Sequence, residues 1–174
     1  MTIFDMANTR RHAELLQEIS DELSIVRRTQ GFTVYRENIA LVHMGHRVKD
    51  PSLLALIDIE EFDKSLVIDN LNYIQPDFMI FQDNPFLWNK KETRLAGCPD
   101  LIIEIWSDSD YPIDKQSKFL IYSNSNNKTE HWYIEQGNNE IECFIGKDKT
   151  QSQDLSAPLK TRTGLKFNLA SLAL

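Results

Sequence analysis

Two acidic residues stand where extended segments would turn a charge toward the protein core. Asp77 follows Gln75-Pro76 within the segment 74–81, and Glu104 lies inside the apolar run LIIEIW that follows Asp100. A buried carboxylate is costly unless it is paired with a cation or bound to a metal ion. Glu104 therefore indicates a site with a cation of its own.

Antiparallel pairing of these two segments would bring the two acids together. Side chains alternate between the faces of a strand, so Asp100 and Glu104 share one face. If the segment 74–81 pairs antiparallel with the segment 100–106, Asp77 comes near Glu104 while Asp100 lies at the far end. Carboxylate oxygens are hard ligands that suit Mg²⁺ or Mn²⁺. We predict a metal site at Asp77 and Glu104, with Asp100 as a supporting candidate.

A helix predicted to run to about Tyr122 adds a basic residue. Asp114, Lys118 and Tyr122 follow one another at intervals of four residues, so they share one helical face. Because the helix follows Glu104 across a short turn, this face can turn toward the carboxylates. The Lys118 amine could then orient a water molecule or offset charge developing on a phosphate. Asp114 and Tyr122 are supporting candidates, and the alternative is an exposed Asp114–Lys118 pair with Tyr122 packed in the core.

The rest of the chain predicts one domain over residues 1–174 with a mixed α/β (α+β) fold. Apolar residues at helical spacing predict a helix from Arg11 to Arg28; they are Leu15, Ile19, Leu23 and Val26. Strands are predicted at 32–44 (with two short strands or a bulge at Asn38), 74–81, 100–106, 130–135 and 140–145, the last two as a hairpin. Loops are predicted at 82–99 and 146–160, and a short closing segment at 165–174. Residues 45–73 give no assignment.

Composition limits the function classes. The net charge is −7, which argues against a large basic surface for nucleic acid but not against a local basic groove. The two cysteines, Cys98 and Cys143, are not spaced as a zinc site; they suit a reducing compartment, although one disulfide remains open. No apolar run is long enough for a membrane span and no signal peptide is recognised, so we expect a cytoplasmic protein. No GxSxG, HExxH, P-loop or GxGxxG motif is present.

The segment 75–145 resembles the Uma-two family of restriction endonuclease-like proteins within the PD-(D/E)XK superfamily. The matching pieces, in order, are QPDFMIF, GCPDLIIEIWS, DKQSKFLIY and EHWYIE, and the tail GLKFNLASL fits the family's closing segment. The order and spacing of several motifs make the resemblance more specific than the dipeptide PD alone. It implies a restriction-endonuclease-like fold, a mixed β-sheet flanked by helices.

The resemblance also implies roles for individual residues. Asp77 and Glu104 would be the two acidic metal ligands of a DNA endonuclease that uses Mg²⁺ or Mn²⁺. The superfamily's basic pattern has a lysine two residues after the second acid, where this chain has Trp106. Lys118 matches a lysine that has moved to the following helix. The superfamily's N-terminal glutamate would be Glu14 or Glu18, and a homodimer would suit cleavage of duplex DNA.

Two other functions stay open at this point. The chain could keep the fold as a binding or dimerisation module with weak or no catalysis, which the acidic net charge favours. It could also hydrolyse another class of phosphate ester. If the Asp77 and Glu104 carboxylates lie beyond joint reach of one ion, the nuclease hypothesis fails. If they converge but Lys118 points to solvent, a module with weak or no catalysis is favoured.

Overall fold

A long N-terminal helix supplies the predicted apolar stripe. In the computed structural model, α1 spans Ile3–Gln30, and all four residues of the predicted stripe are buried along it. Burial of a large aliphatic side chain contributes on the order of 2 kcal/mol to folding. The predicted start at Arg11 was wrong, because the helix begins at Ile3 although the predicted apolar stripe begins only at Leu15. The helix ends before Gly31, whose φ of 76° suits glycine.

The structure describes most, but not all, of the chain. The described residues are 3–36, 40–43, 72–74, 76–82, 86–87, 94–97, 99–106, 115, 118–120, 122–123 and 128–170. Asp114, Cys98 and most of the unassigned stretch 45–73 lie outside these residues. Within the described part, no helix is long and apolar enough to cross a membrane.

The described strands are numbered β1 to β12 along the chain. They are β1 Thr33–Arg36, β2 Ala40–His43, β3 Asn72–Ile74, β4 Phe78–Phe81, β5 Phe86–Leu87, β6 Arg94–Gly97, β7 Leu101–Trp106, β8 Glu130–Glu135, β9 Glu140–Ile145, β10 Asp148–Asp154, β11 Pro158–Lys160 and β12 Lys166–Asn168. Six of them form the main sheet, in the order β1-β4-β7-β8-β9-β10.

The main sheet is mixed, as the sequence predicted. Strand β7 pairs antiparallel with β4 and parallel with β8, and the remaining neighbours are antiparallel. A parallel pair needs a crossover connection, and the chain between β7 and β8 includes helical residues 115, 118–120 and 122–123. We refer to these residues as the Lys118 helix. The predicted β8–β9 hairpin is confirmed, with Gly137 at a φ of 86° in its turn.

The predicted break at Asn38 falls between β1 in the main sheet and β2 in a second sheet, of order β3-β2-β6-β5. Other predicted boundaries were wrong because short strands escape sequence patterns. The segment 74–81 is divided between β3 and β4, and the predicted loop 82–99 contains β5 and β6. The predicted loop 146–160 contains β10, whose polar residues are mostly exposed at the sheet edge. The closing segment contains β12, which pairs with β11.

The two faces of the main sheet are covered by different helices. Helix α1 packs on the face that carries Phe78, Ile80, Leu101, Ile103 and Ile105. Tyr122 of the Lys118 helix packs on the other face, against Met79, Phe81, Ile102 and Tyr133. Alternation along β7 therefore assigns Glu104 to the Lys118 face. The functional side chains are positioned by this two-sided packing.

A buried acid at the start of β8 holds the C-terminal segment against the sheet. Glu130 accepts hydrogen bonds from Trp132 Nε1 at 2.8 Å and from the Arg162 N–H at 2.7 Å. Glu130→Ala should lower the free energy of unfolding by about 3 kcal/mol, because both donors lose a buried charged acceptor. Urea denaturation followed by tryptophan fluorescence measures this loss. The exposed Glu140→Ala should change stability by less than about 0.5 kcal/mol, and an equal loss in the two variants would contradict the assignment.

Candidate active site

Asp77 immediately precedes β4, at one end of the ladder between β4 and β7. Pro76 precedes it and has no N–H to donate, so the ladder between β4 and β7 ends at the pair Phe78–Ile103. Beyond that pair, the β7 backbone bonds to a side chain instead of a strand: the Ile105 N–H donates to Asp77 Oδ2 at 2.6 Å. This bond fixes the carboxylate beside β7. The register of the ladder places Asp77 beside Glu104.

Glu104 lies one residue beyond the end of the β4 ladder. Its neighbour on the other side is Tyr133 of β8, and only 1% of its surface is exposed. Lys118 Nζ donates to Glu104 Oε2 at 2.7 Å, and the Tyr122 hydroxyl donates to Glu104 Oε1. Because the pairing with β4 stops at Ile103, a cleft and not a strand lies beside the Glu104 carboxylate on the side opposite Tyr133.

Burial dominates the electrostatics of Glu104. Desolvation raises the pKa of Glu104 from 4.5 to about 7; the Lys118 ammonium opposes this rise, and the charge on Asp77 adds to it. The pKa of Tyr122 is raised well above 10.0 by burial and by the adjacent Glu104 charge. Tyr122 therefore stays protonated and serves as a hydrogen-bond donor. The two acids repel each other across the cleft, so the site favours a second cation in addition to Lys118.

The Lys118 helix brings a second lysine to the same cleft. Lys115 and Lys118 are three residues apart and share a helical face. Lys115 Nζ lies 3.2 Å from Glu135 Oε1 and 5.3 Å from the centre of the Trp106 ring. Trp106, at the position of the lysine in the superfamily's basic pattern, stacks on Tyr133 with ring centroids 4.3 Å apart. An aromatic ring thus occupies that position in β7, and the amine that reaches Glu104 is that of Lys118, on the following helix.

A cleft of about 150 Å³ joins these side chains. It is lined by His12, Asp77, Glu104, Ile105, Trp106, Lys115 and Lys118. The structure thus brings Asp77, Glu104 and Lys118 together, with Tyr122 behind Glu104. A larger groove of about 340 Å³ lies beside the β8–β9 turn, but it is lined by no lysine or histidine, and we place no site there.

Other predicted residues lie away from the cleft. Asp100 lies at the opposite end of β7, where its Oδ2 accepts a hydrogen bond from the Gln82 N–H at 2.6 Å. This bond ties Asp100 to the backbone directly after β4. Asp114 lies outside the described residues. Glu14 pairs with Arg10 at 2.8 Å on the surface of α1, and Glu18 is half-buried. Neither glutamate lines the cleft.

Sequence reasoning missed two cleft residues, His12 and Lys115. His12 precedes Leu15 by three residues and Ile19 by seven, so it lies on the buried face of α1. A polar residue in register with an apolar stripe was the available signal for His12. Lys115 had a similar signal, because it stands one turn before Lys118 on the same face.

Comparison with known proteins agrees with this fold. A family model described as "Putative restriction endonuclease", Uma2, matches residues 2–170. The chain belongs to the Uma2 family. A crystal structure of "a putative nuclease" from Anabaena variabilis aligns with a TM-score of 0.52 and 13% identity, covering 96% of this chain and 82% of that one. At this identity the likeness shows the fold alone, and no curated protein matches the chain.

Replacement of Glu104 by glutamine should stabilise the metal-free protein at high pH. Since the pKa of Glu104 is raised from 4.5 to about 7, stability that is present below pH 4.5 is lost as the pH rises through 7. Glutamine can accept from Tyr122 without a charge, so the variant should gain on the order of 2 kcal/mol over the wild type at pH 8 and much less at pH 4.5.

Urea denaturation in EDTA at both pH values measures this gain. Glu142→Gln, on the exposed side of β9, is the matched control and should show no such difference between the two pH values. A Glu104→Gln protein that is less stable than the wild type at pH 8 would contradict the electrostatic account.

Proposed function

We propose that this protein is a divalent-metal-dependent endonuclease that hydrolyses phosphodiester bonds in DNA. One observation carries the proposal: a carboxylate, Glu104, is buried in the central strand of the sheet beside a second acid and a lysine, at the mouth of a cleft. A side chain of this kind costs stability, and polar clusters with shifted pKa values are typical of functional sites.

The donor set fits a hard divalent cation. Asp77 and Glu104 would hold Mg²⁺ or Mn²⁺ through carboxylate oxygens, and Lys118 and Tyr122 use about two of the four lone-pair sites of Glu104. Within the described residues, no three His, Cys, Asp or Glu side chains form a metal-binding group. Two carboxylates completed by water and phosphate oxygens are the usual environment of Mg²⁺. When bound, the ion would polarise the phosphate and lower the pKa of coordinated water.

The chain's own residues contribute positioning and charge. Lys118 has 39% of its side chain exposed, so its amine can reach a phosphate in the cleft while it stays close to Glu104. There it would stabilise negative charge that develops on the phosphate oxygens. Tyr122 holds Glu104 from the buried side, and Ile105 holds Asp77 through its backbone N–H. Both carboxylates are therefore fixed before substrate arrives, which reduces reorganisation during the reaction.

The remaining parts of the proposal concern organisation. We treat the span of the family match as one nuclease domain that acts as a homodimer, since two-fold pairing of sites suits duplex DNA. The free, buried Cys143 agrees with a cytoplasmic location. The net charge of −7 means that DNA would bind through local charges at the cleft.

Cleavage of plasmid and oligonucleotide DNA tests the proposal. Wild-type protein should cut with Mg²⁺ or Mn²⁺ and stop in EDTA, while Glu104→Gln should lose at least about 1,000-fold in rate, because metal binding and charge stabilisation are lost together. Glu142→Gln is the matched control, since this strand glutamate also pairs with a lysine, Lys149, but is 45% exposed. Cleavage that persists in Glu104→Gln would contradict the proposal.

A correctly folded wild-type protein that cuts no DNA would favour the alternative of a non-catalytic binding or dimerisation module. Retained, salt-dependent DNA binding or self-association would then identify which module it is. Turnover of another phosphate ester, without cleavage of DNA, would instead favour the third hypothesis.

Removal of the Lys118 amine should slow cleavage without unfolding the protein. Lys118→Ala should reduce kcat by about 100-fold, the usual effect of losing one charged group that stabilises the transition state. Lys149→Ala removes an ion pair of similar geometry from β9 and β10 and should leave kcat unchanged. Equal kcat values in wild type and Lys118→Ala would show that this lysine is not catalytic.

A further inference from the structure

The N-terminal helix contributes a side chain to the cleft from the face of the sheet opposite to Lys118. Helix α1 packs on the face that carries Ile103 and Ile105, yet His12 lines the same cleft as Glu104 and Lys118. His12 reaches the cleft beside Asp77, which immediately precedes β4. Two basic side chains thus flank the acidic pair from opposite faces.

His12 is held in a defined orientation. The Gln136 side-chain amide lies 3.1 Å from His12 Nδ1, and the Gln136 N–H donates to the Trp106 carbonyl at 2.8 Å. Gln136 is therefore anchored at the end of β7, close to the cleft. When its amide donates to Nδ1, the neutral imidazole carries its proton on Nε2. This tautomer makes Nε2 a hydrogen-bond donor.

The acid beside His12 Nε2 lies beyond hydrogen-bond length. His12 Nε2 lies 3.9 Å from Asp77 Oδ1, which is too long for a hydrogen bond. With 31% of its side chain exposed, His12 is accessible to a ligand that enters the cleft. An oxygen atom beside Asp77 could accept from Nε2 at ordinary hydrogen-bond length without displacing either residue.

We propose that His12, oriented by Gln136, donates a hydrogen bond from Nε2 to a non-bridging oxygen of the phosphate being cleaved, a role that rests on the proposed nuclease function. The bond from water oxygen to phosphorus forms as the bond from phosphorus to the leaving oxygen breaks. The attacking water gives a proton to solvent, the leaving oxygen takes one from solvent, and His12 keeps its proton throughout. His12 and Lys118 then contact the phosphate from two sides. Gln136 acts as a positioning residue, because it touches His12 and not the substrate.

Steady-state cleavage of an oligonucleotide duplex at saturating Mn²⁺ tests this role. His12→Ala should lower kcat by about 100-fold, the usual effect of losing one preorganised donor, with little change in KM. His12→Gln, whose amide can place an N–H near the Nε2 position, should recover most of that loss. Gln136→Ala should lower kcat by a smaller factor, because the ring stays but loses its orientation.

The control lies on the same helix. Gln17 is exposed and bonds only locally to Asp21 in the described structure, so Gln17→Ala should keep wild-type kcat and KM. Thermal melting should give all four variants the same Tm as the wild type within a few degrees. A His12→Ala protein with wild-type kcat would overturn the proposal, and so would a His12→Gln protein as slow as His12→Ala.

The outcomes separate this inference from the nuclease proposal. If the wild type cuts and Glu104→Gln does not, while His12→Ala cuts normally, the nuclease function stands and only the role of His12 fails. If the wild type does not cut at all, both proposals fail together. A loss of kcat in His12→Ala that follows a matching fall in Tm would assign His12 to α1 packing and also overturn its role at the phosphate.

Discussion

The carboxylate of Glu104 lies where the central strand of a sheet normally holds an apolar side chain, and the surrounding structure accommodates its charge. The pairing of β4 with β7 reaches only to Ile103, so a cleft lies beside the Glu104 carboxylate on that side. Lys118 and Tyr122 donate to its two oxygens from the adjacent helix. These contacts do not cancel the desolvation, since the pKa of Glu104 remains raised to about 7. The ionised Glu104 is therefore unfavourable in the metal-free protein, and a bound cation would stabilise its charge.

The charges around the cleft differ from those of the whole protein. The chain carries a net charge of −7, yet two lysines balance the two carboxylates that line the cleft. Phosphate contacts depend on charges close to the backbone of the nucleic acid, because salt largely screens exposed charges that are more than about 10 Å apart. Overall acidity and a nucleic-acid substrate are therefore compatible, and the acidic surface would disfavour binding away from the cleft.

Much of this arrangement could be predicted because it rests on local patterns. Apolar periodicity identified the buried face of α1, and strand alternation placed Glu104 on the same face as Asp100. Antiparallel pairing was then enough to bring Asp77 to Glu104. Helical spacing placed Lys118 and Tyr122 on one face, as observed. The same antiparallel pairing predicts that Asp100 lies at the other end of β7 from Glu104, where the structure places it.

The rest depends on tertiary contacts that no local pattern encodes. Strand β10 has a polar sequence and is defined by its pairing with β9, whereas β5 and β6 are too short to show alternation. His12 is oriented by Gln136, a residue far along the chain, so its place in the cleft could not follow from the N-terminal sequence alone. Glu14 and Glu18 were the more obvious candidates on α1 because the resemblance drew attention to acids.

The proposed chemistry requires Asp77 and Glu104 to bind one ion together. A crystal of the wild-type protein soaked in Mn²⁺, with diffraction measured at the manganese absorption edge, locates the ion directly. Manganese bound at the site should give an anomalous peak about 2.1 Å from a carboxylate oxygen of each residue. A peak bound by neither carboxylate, or bound elsewhere on the protein, would contradict the proposed chemistry.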